Sequence, residues 1–480
     1  MKLTRNLGLG MALGTLTAAG ALLAVAQPAA AQAPPGFFQV PGTQTSLLIT
    51  GSVGTRFIGD FGNFGNPDQS GAGQIANDVL IPFLIPVRHE IGAGANNNGR
   101  FQSHFSNSDA SFGFITNTPT AWGPLETVLI LGTGNNGINS LFLNPAFPTT
   151  NVIVGFGSLG PFMAGLNGSL FGDSDADSEH IEPFGWVAGE VGALQPGFRY
   201  TWKGPGGFSI AGSAELGNSY GLAADSIGMW NNFFVSGQTN IGPAPVWNSS
   251  SLGGGATIPD LVLRARLDQP WGHITLAGIL HNSSSSCSEN CGGSADNFPG
   301  ALGGGPVPNI SALGGGINLS GHINTWGRDS LKAGFVWGQG LGSLMGEWGG
   351  NDGLVIGNNP NGTWSGASYL GEEWGVHAGY THFWTDQLRS SVTVGYAAVT
   401  NNNPCGMGFC IPGTNGGPLA NIFFDNSHFS LEGNLIWSPV PKVDLGVEYV
   451  YFQRNTQSSS IGWGTKGRDN RLSVESVFHF

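Results

Sequence analysis

From residue 45 onward the chain repeats one pattern. Apolar and polar residues alternate, a short turn rich in Gly, Pro or Trp reverses the chain, alternation resumes, and a longer polar stretch follows. Alternation at period two places one set of side chains on each face of a strand. The clearest case runs from Leu261 to Leu280: Leu261, Leu263, Ala265 and Leu267 share one face, while Arg264, Arg266 and Asp268 share the other. The turn Asp268-Gln-Pro-Trp-Gly272 follows, and Ile274, Leu276 and Leu280 resume the apolar face.

Six more hairpins have the same form, over 110–131, 150–170, 197–216, 313–337, 374–397 and 429–452. A first strand, Thr45 to Phe61, and a last, Arg471 to Phe480, stand alone, which predicts sixteen strands with both ends on one side. In the last strand Leu472, Val474, Phe478 and Phe480 face one way and Arg471, Ser473, Glu475 and His479 the other. A strand with one greasy and one ionic face separates lipid from water, and closing the sheet on itself removes its exposed edges. The expected fold is therefore all-β: a transmembrane, antiparallel, up-and-down barrel over 45–480. The hairpin turns are short, whereas stretches such as 281–312 and 400–425 are long, the asymmetry of periplasmic turns and extracellular loops. Trp122, Trp271, Trp326, Trp384 and Trp437 fall at or beside the short turns, where an aromatic girdle meets the membrane interface.

Composition agrees. Only 10% of residues are charged, 81 are glycine and 14 are tryptophan; soluble domains carry about 25% charged residues. Residues 1–31 read as an export signal, with Lys2 and Arg5 before an apolar stretch from Leu7 to Val25 and Ala29-Ala30-Ala31 at its end. A short periplasmic lead, 32–44, would join it to the barrel. Without Lys2 and Arg5 the formal charge falls from −13 to −15, which argues against nucleic acid as a partner. In an exported chain the close pairs Cys287/Cys291 and Cys405/Cys410 read as loop-closing disulfides.

A charge on the lipid face would cost roughly 2–4 kcal/mol at mid-bilayer, so the strand charges are expected to line the lumen. These are Arg56, Arg199, Arg264, Arg266, Arg389, Arg454 and Arg471, with Asp60, Glu215, Glu432, Asp444, Glu448 and Glu475 on the same faces. That lumen would be near neutral and slightly positive, with the acidic surplus in loops. Each arginine either meets solute or pairs structurally with a carboxylate; the sequence leaves both open.

Several short motifs then resemble the DcaP-like outer-membrane porins. They are Phe38-Gln-Val-Pro-Gly-Thr43, Thr118-Pro-Thr120, Gln195 to Tyr200, Pro259-Asp260 with Arg264, Arg266 and Trp271-Gly272, Ser438-Pro439 with Leu445-Gly446 and Glu448-Tyr449, and the terminal Phe480. Their shared order spans nearly the whole mature chain. The resemblance implies a sixteen-stranded homotrimeric channel passing small anionic solutes such as dicarboxylates. It also implies that the barrel assembly machinery inserts the chain into outer-membrane lipid through its last strand. Asp109-Ala-Ser-Phe112 and Val128-Leu-Ile-Leu131 depart from the family's charged pattern, which bears on solute preference.

Other motifs carry little. With 81 glycines, the two GxGxxG matches starting at Gly132 and Gly155 are expected by chance. Gly217-Asn-Ser219-Tyr-Gly221 spells a nucleophile elbow with no helix behind it. Asp173-Ser-Asp-Ala-Asp177-Ser-Glu179 is read as a solvated acidic loop, a loose calcium loop, or a segment folded into the channel mouth. His273, His322 and His377 lie on polar faces, where lining the lumen is the simpler role. Val79 to Val87 is read as a subunit clasp or an irregular strand packed in the lumen. The expectation is a passive channel with no enzymatic activity and no cofactor; the rivals are a barrel-based enzyme and a surface adhesin.

Overall fold

The computed structural model describes residues 36–61, 82, 85, 101–106, 110–134, 149–182, 187–216, 252–254, 258–287, 310–348, 355–358, 364–400, 425–456 and 465–480. The export signal 1–31, the Gly217–Gly221 motif and Cys291, Cys405 and Cys410 lie outside them; Cys287 closes a strand by its backbone.

Sixteen strands form one antiparallel ring. They are β1 (Ser46–Asp60), β2 (Ala110–Thr120), β3 (Gly123–Gly134), β4 (Thr149–Leu159), β5 (Phe162–Gly168), β6 (Leu194–Lys203), β7 (Phe208–Glu215) and β8 (Asp260–Gln269). The ring continues through β9 (Gly272–Cys287), β10 (Ile310–Asn324), β11 (Ser330–Gln339), β12 (Glu372–Phe383), β13 (Leu388–Thr400), β14 (Asp425–Trp437), β15 (Val443–Thr456) and β16 (Lys466–His479). Each pairs with its chain neighbour, and β16 returns to β1 in the register Arg56↔Glu475 and Asp60↔Arg471. Phe480 completes the seam: its N–H donates to Gly51 O at 3.0 Å. All seven predicted hairpins form, because strict alternation fixes which face each strand must turn outward.

The turns follow local chemistry. Gly160 takes φ +57° between β4 and β5, a left-handed conformation that glycine adopts without a Cβ clash. Lys442, before β15, is the one non-glycine residue with positive φ among those described.

The outer face is an apolar belt: Leu261, Leu263, Leu276, Leu280, Val392, Leu431, Leu435 and Val474 are all exposed. Trp122 and Trp326 are 82% and 78% exposed at the short turns, with Trp271, Trp384 and Trp437 at the same level. The inner face carries the charges; Arg56 and Arg471 are fully buried.

The interior is not uniformly wet. Residues 169–182 and 187–193, between β5 and β6, turn inward and cross the barrel, and a second segment, 341–348, joins them from the β11–β12 connection. Leu170, Phe171, Ala188 and Val191 of the first pack with Leu341, Leu344, Met345 and Trp348 of the second. Val262, Ile279, Val336, Ala397 and Phe452 are among the wall residues that join this core. Ile85 belongs to it as well, which places that part of the Val79–Val87 run inside the barrel.

The wall is shaped for the inner loop. A Cβ on Gly395 would overlap the Ala188 carbonyl oxygen, and one on Gly375 would lie 2.5 Å from Gly189 Cα. On Gly446 it would meet Ile181 Cδ1, also at 2.5 Å. Glycines on β12, β13 and β15 thus form a shallow trough.

Candidate functional site

The inner loop is held by side chains from opposite sides of the ring. Where it leaves β5, Leu170 N–H donates to Glu215 Oε1 at 2.8 Å and Ser169 Oγ to Oε2 at 2.6 Å. Arg199 donates to Gly168 O at 2.6 Å and lies 3.8 Å from Glu215. Across the barrel, Ile181 and Glu182 N–H donate to the Glu448 carboxylate at 2.8 and 3.1 Å, while Arg56 donates to Ile181 O at 3.2 Å. Asn434 donates to Glu179 O at 2.5 Å.

Ion pairs reinforce these bonds. Arg389 grips Glu179 with both Nε and Nη2, at 2.9 and 2.7 Å to Oε1, and also meets Asp444 at 3.5 Å. Arg471 spans Asp60 at 2.7 Å and Glu182 at 3.0 Å. Arg266 meets Asp175 at 2.7 Å and Asp173 at 3.3 Å. Asp173 also accepts from Ser320 at 3.0 Å and contacts His273 at 2.7 Å, and His273 in turn meets His322 at 2.7 Å. Burial opposes ionisation of Asp173, but His273 and Arg266 hold its carboxyl below the usual range. Burial likewise opposes a charge on His180, yet Glu432, 2.9 Å away, overcomes it and pushes the imidazole up to about 10.

Every predicted strand charge faces the interior, but most are engaged by the loop or by one another. Arg56, Asp60, Arg199, Glu215, Arg266, Glu432, Glu448 and Arg471 all sit in the network above. Arg454 donates to Ile85 O at 2.9 Å, and Glu475 lies half-buried near the seam. Arg264 differs. Its closest polar partner is Gly172 O at 3.5 Å, and among the described residues no carboxylate lies within ion-pair distance. The acidic segment Asp173–Glu179 is therefore inside the barrel, against its inward arginines. Alternation on strands could not reveal this, because loop placement leaves no periodic trace. The one signal was the surplus of inward arginines facing too few strand carboxylates.

No known family profile matches the sequence, and no curated protein matches it. Solved structures do. The outer membrane channel DcaP of Acinetobacter baumannii superposes over 92% of this chain and 99% of its own, with a TM-score of 0.63 at 15% identity. OprB of Pseudomonas putida covers 90% of this chain and 94% of its own, with a TM-score of 0.47 at 10% identity. The trimer form of OmpT, an outer membrane protein of Vibrio cholerae, covers 91% and 99% with a TM-score of 0.46 at 8% identity. The closed barrel, its seam and its apolar belt thus give this chain the porin fold, shared along nearly its whole length with the DcaP channel.

Proposed function

We propose that this chain is an outer-membrane diffusion channel for small hydrophilic solutes, selective by width and charge and without catalytic activity. One observation carries the reading: a closed barrel, apolar outside, whose inner loop is lashed across a charged interior. A wall meant only for rigidity has no need of a segment drawn inward against so many buried ionic groups, each costly to desolvate. A loop so placed narrows the passage that remains.

A weak preference for anions such as dicarboxylates rests on Arg264. The other interior charges are largely neutralised in place, whereas this guanidinium is held near the loop without a partner carboxylate among the described residues. Mixed fixed charges in a narrow lumen orient passing solutes electrostatically. Resemblance to DcaP-like porins further supports a homotrimer, insertion by the barrel assembly machinery through the C-terminal strand, and export led by residues 1–31.

Reversal potentials in planar bilayers under a salt gradient test the channel and its preference together. Discrete conductance steps with a modest anion bias are expected. Clear cation selectivity would reject the anion reading, and the absence of any conductance would reject the channel.

A further inference from the structure

Asp177 and Glu190 of the inner loop converge on His377 of β12. One ligand atom from each, a carboxylate oxygen or ring nitrogen, lies within 4.8 Å of the others. His377 is 4% exposed; its Nδ1 lies 3.3 Å from Gly189 O, and its Nε2 makes no well-formed hydrogen bond, although the Ala176 backbone stands beside the ring. Glu190 Oε1 is likewise buried without a partner; His180 Nε2 is 4.0 Å away, beyond hydrogen-bond reach. The Asp177 carboxylate takes part in no hydrogen bond among the described residues; Lys332 donates to its backbone oxygen instead. Buried polar atoms are nearly always paired, so His377 Nε2 and Glu190 Oε1, converging with the half-buried Asp177 carboxylate, need an explanation.

Two other groupings of similar make-up have most of their groups engaged, His180 Nε2 being the buried atom left over. Asp173, Asp175 and His273 are saturated by Arg266, Ser320 and His322. His180, Glu432 and Glu448 are closed by the His180–Glu432 pair and by backbone donors to Glu448.

We propose that Asp177, Glu190 and His377 form a binding site for one divalent transition-metal cation, which ties the inner loop to β12. Two carboxylates and one imidazole suit a borderline ion such as zinc, with remaining positions for water or a solute carboxylate. Binding would fix the loop at a point where the described wall residues supply a lysine, Lys332, but no strand arginine, since Arg389 and Arg471 grip Glu179 and Glu182.

The test is calorimetric titration of zinc into the full chain, folded in detergent and stripped with chelator. One ion per chain is expected, with a heat that saturates. Asp177→Asn, Glu190→Gln and His377→Gln should each weaken binding by at least the roughly 10–100-fold that loss of an outer-shell partner costs. Asp386→Asn, on an exposed turn away from the three groups, should not. Heat-modifiable gel mobility checks that each variant is folded. Failure of the unaltered chain to bind zinc saturably would overturn the proposal whatever the variants do. So would undiminished affinity in all three substitutions, which would place the ion elsewhere.

Discussion

Arg471 of the last strand meets Asp60 of the first at 2.7 Å through Nε, and through Nη1 meets Glu182 of the inner loop at 3.0 Å. One fully buried guanidinium therefore joins the barrel's closing seam to the segment that crosses its lumen. Seam and loop are mechanically one unit at this point.

Arg471→Gln should remove a cation that two buried carboxylates share and destabilise the barrel by about 3–5 kcal/mol. Denaturant unfolding in detergent micelles measures this. Arg471→Lys is expected to recover only part, because a single ammonium cannot reproduce a fork that reaches both carboxylates. An unchanged midpoint for the glutamine variant would refute the clamp.

Releasing the other end of the loop should widen the channel. Glu179→Ala removes the carboxylate that Arg389 grips with two nitrogens. Single-channel conductance should rise and become noisier, while the barrel's own heat-modifiable mobility stays unchanged. Conductance equal to that of the native chain would mean the loop does not narrow the passage.

The glycine trough predicts a steric counterpart. Gly395→Ala places a methyl group against the Ala188 carbonyl oxygen, so the loop must shift and conductance should change. Gly433→Ala is the matched control, since the nearest atom to its Cβ is Ser391 O at 4.0 Å. The comparison fails if the two variants behave alike.

Arg264→Gln should move the reversal potential toward cations, with little effect on folding, because no described carboxylate is left unpaired by the change. Arg266→Gln should instead destabilise, since it strips Asp173 and Asp175 of their partner. A salt-gradient reversal potential that is the same for native and Arg264→Gln chains would remove the basis for the anion preference.

Acidity should tighten the loop through Glu347. Its carboxyl lies among apolar neighbours, and burial pushes it up to about 7, although Gly189 N–H donates to Oε1 at 2.7 Å. The folded chain thus holds a proton there that the unfolded chain releases near the ordinary glutamate value of about 4.3. The contribution is greatest at low pH, and stability declines as pH rises from the ordinary value through about 7. Thermal midpoints at acidic and alkaline pH should differ less for Glu347→Gln than for the native chain. An equal pH response in both would rule out this carboxyl as its source.

Much of the architecture was legible in the sequence. Leu261, Leu263, Val474 and Phe478 on one face, with Arg264, Arg266, Arg471 and Glu475 on the other, determine which side of each strand meets lipid. That follows because a strand's side-chain period is two and a misplaced charge is expensive in hydrocarbon. The even strand count, the hairpin turns and the pairing of the termini follow from the same rule. Only the tertiary structure decided what fills the cylinder. Glu179, Glu182 and Asp173 reach Arg389, Arg471 and Arg266 across separations that no local pattern encodes. Val262, Val336 and Phe452 face inward because the inner loop and the 341–348 segment bring apolar partners to them. Loop placement depends on the sum of such distant contacts, and a single sequence carries no periodic record of them.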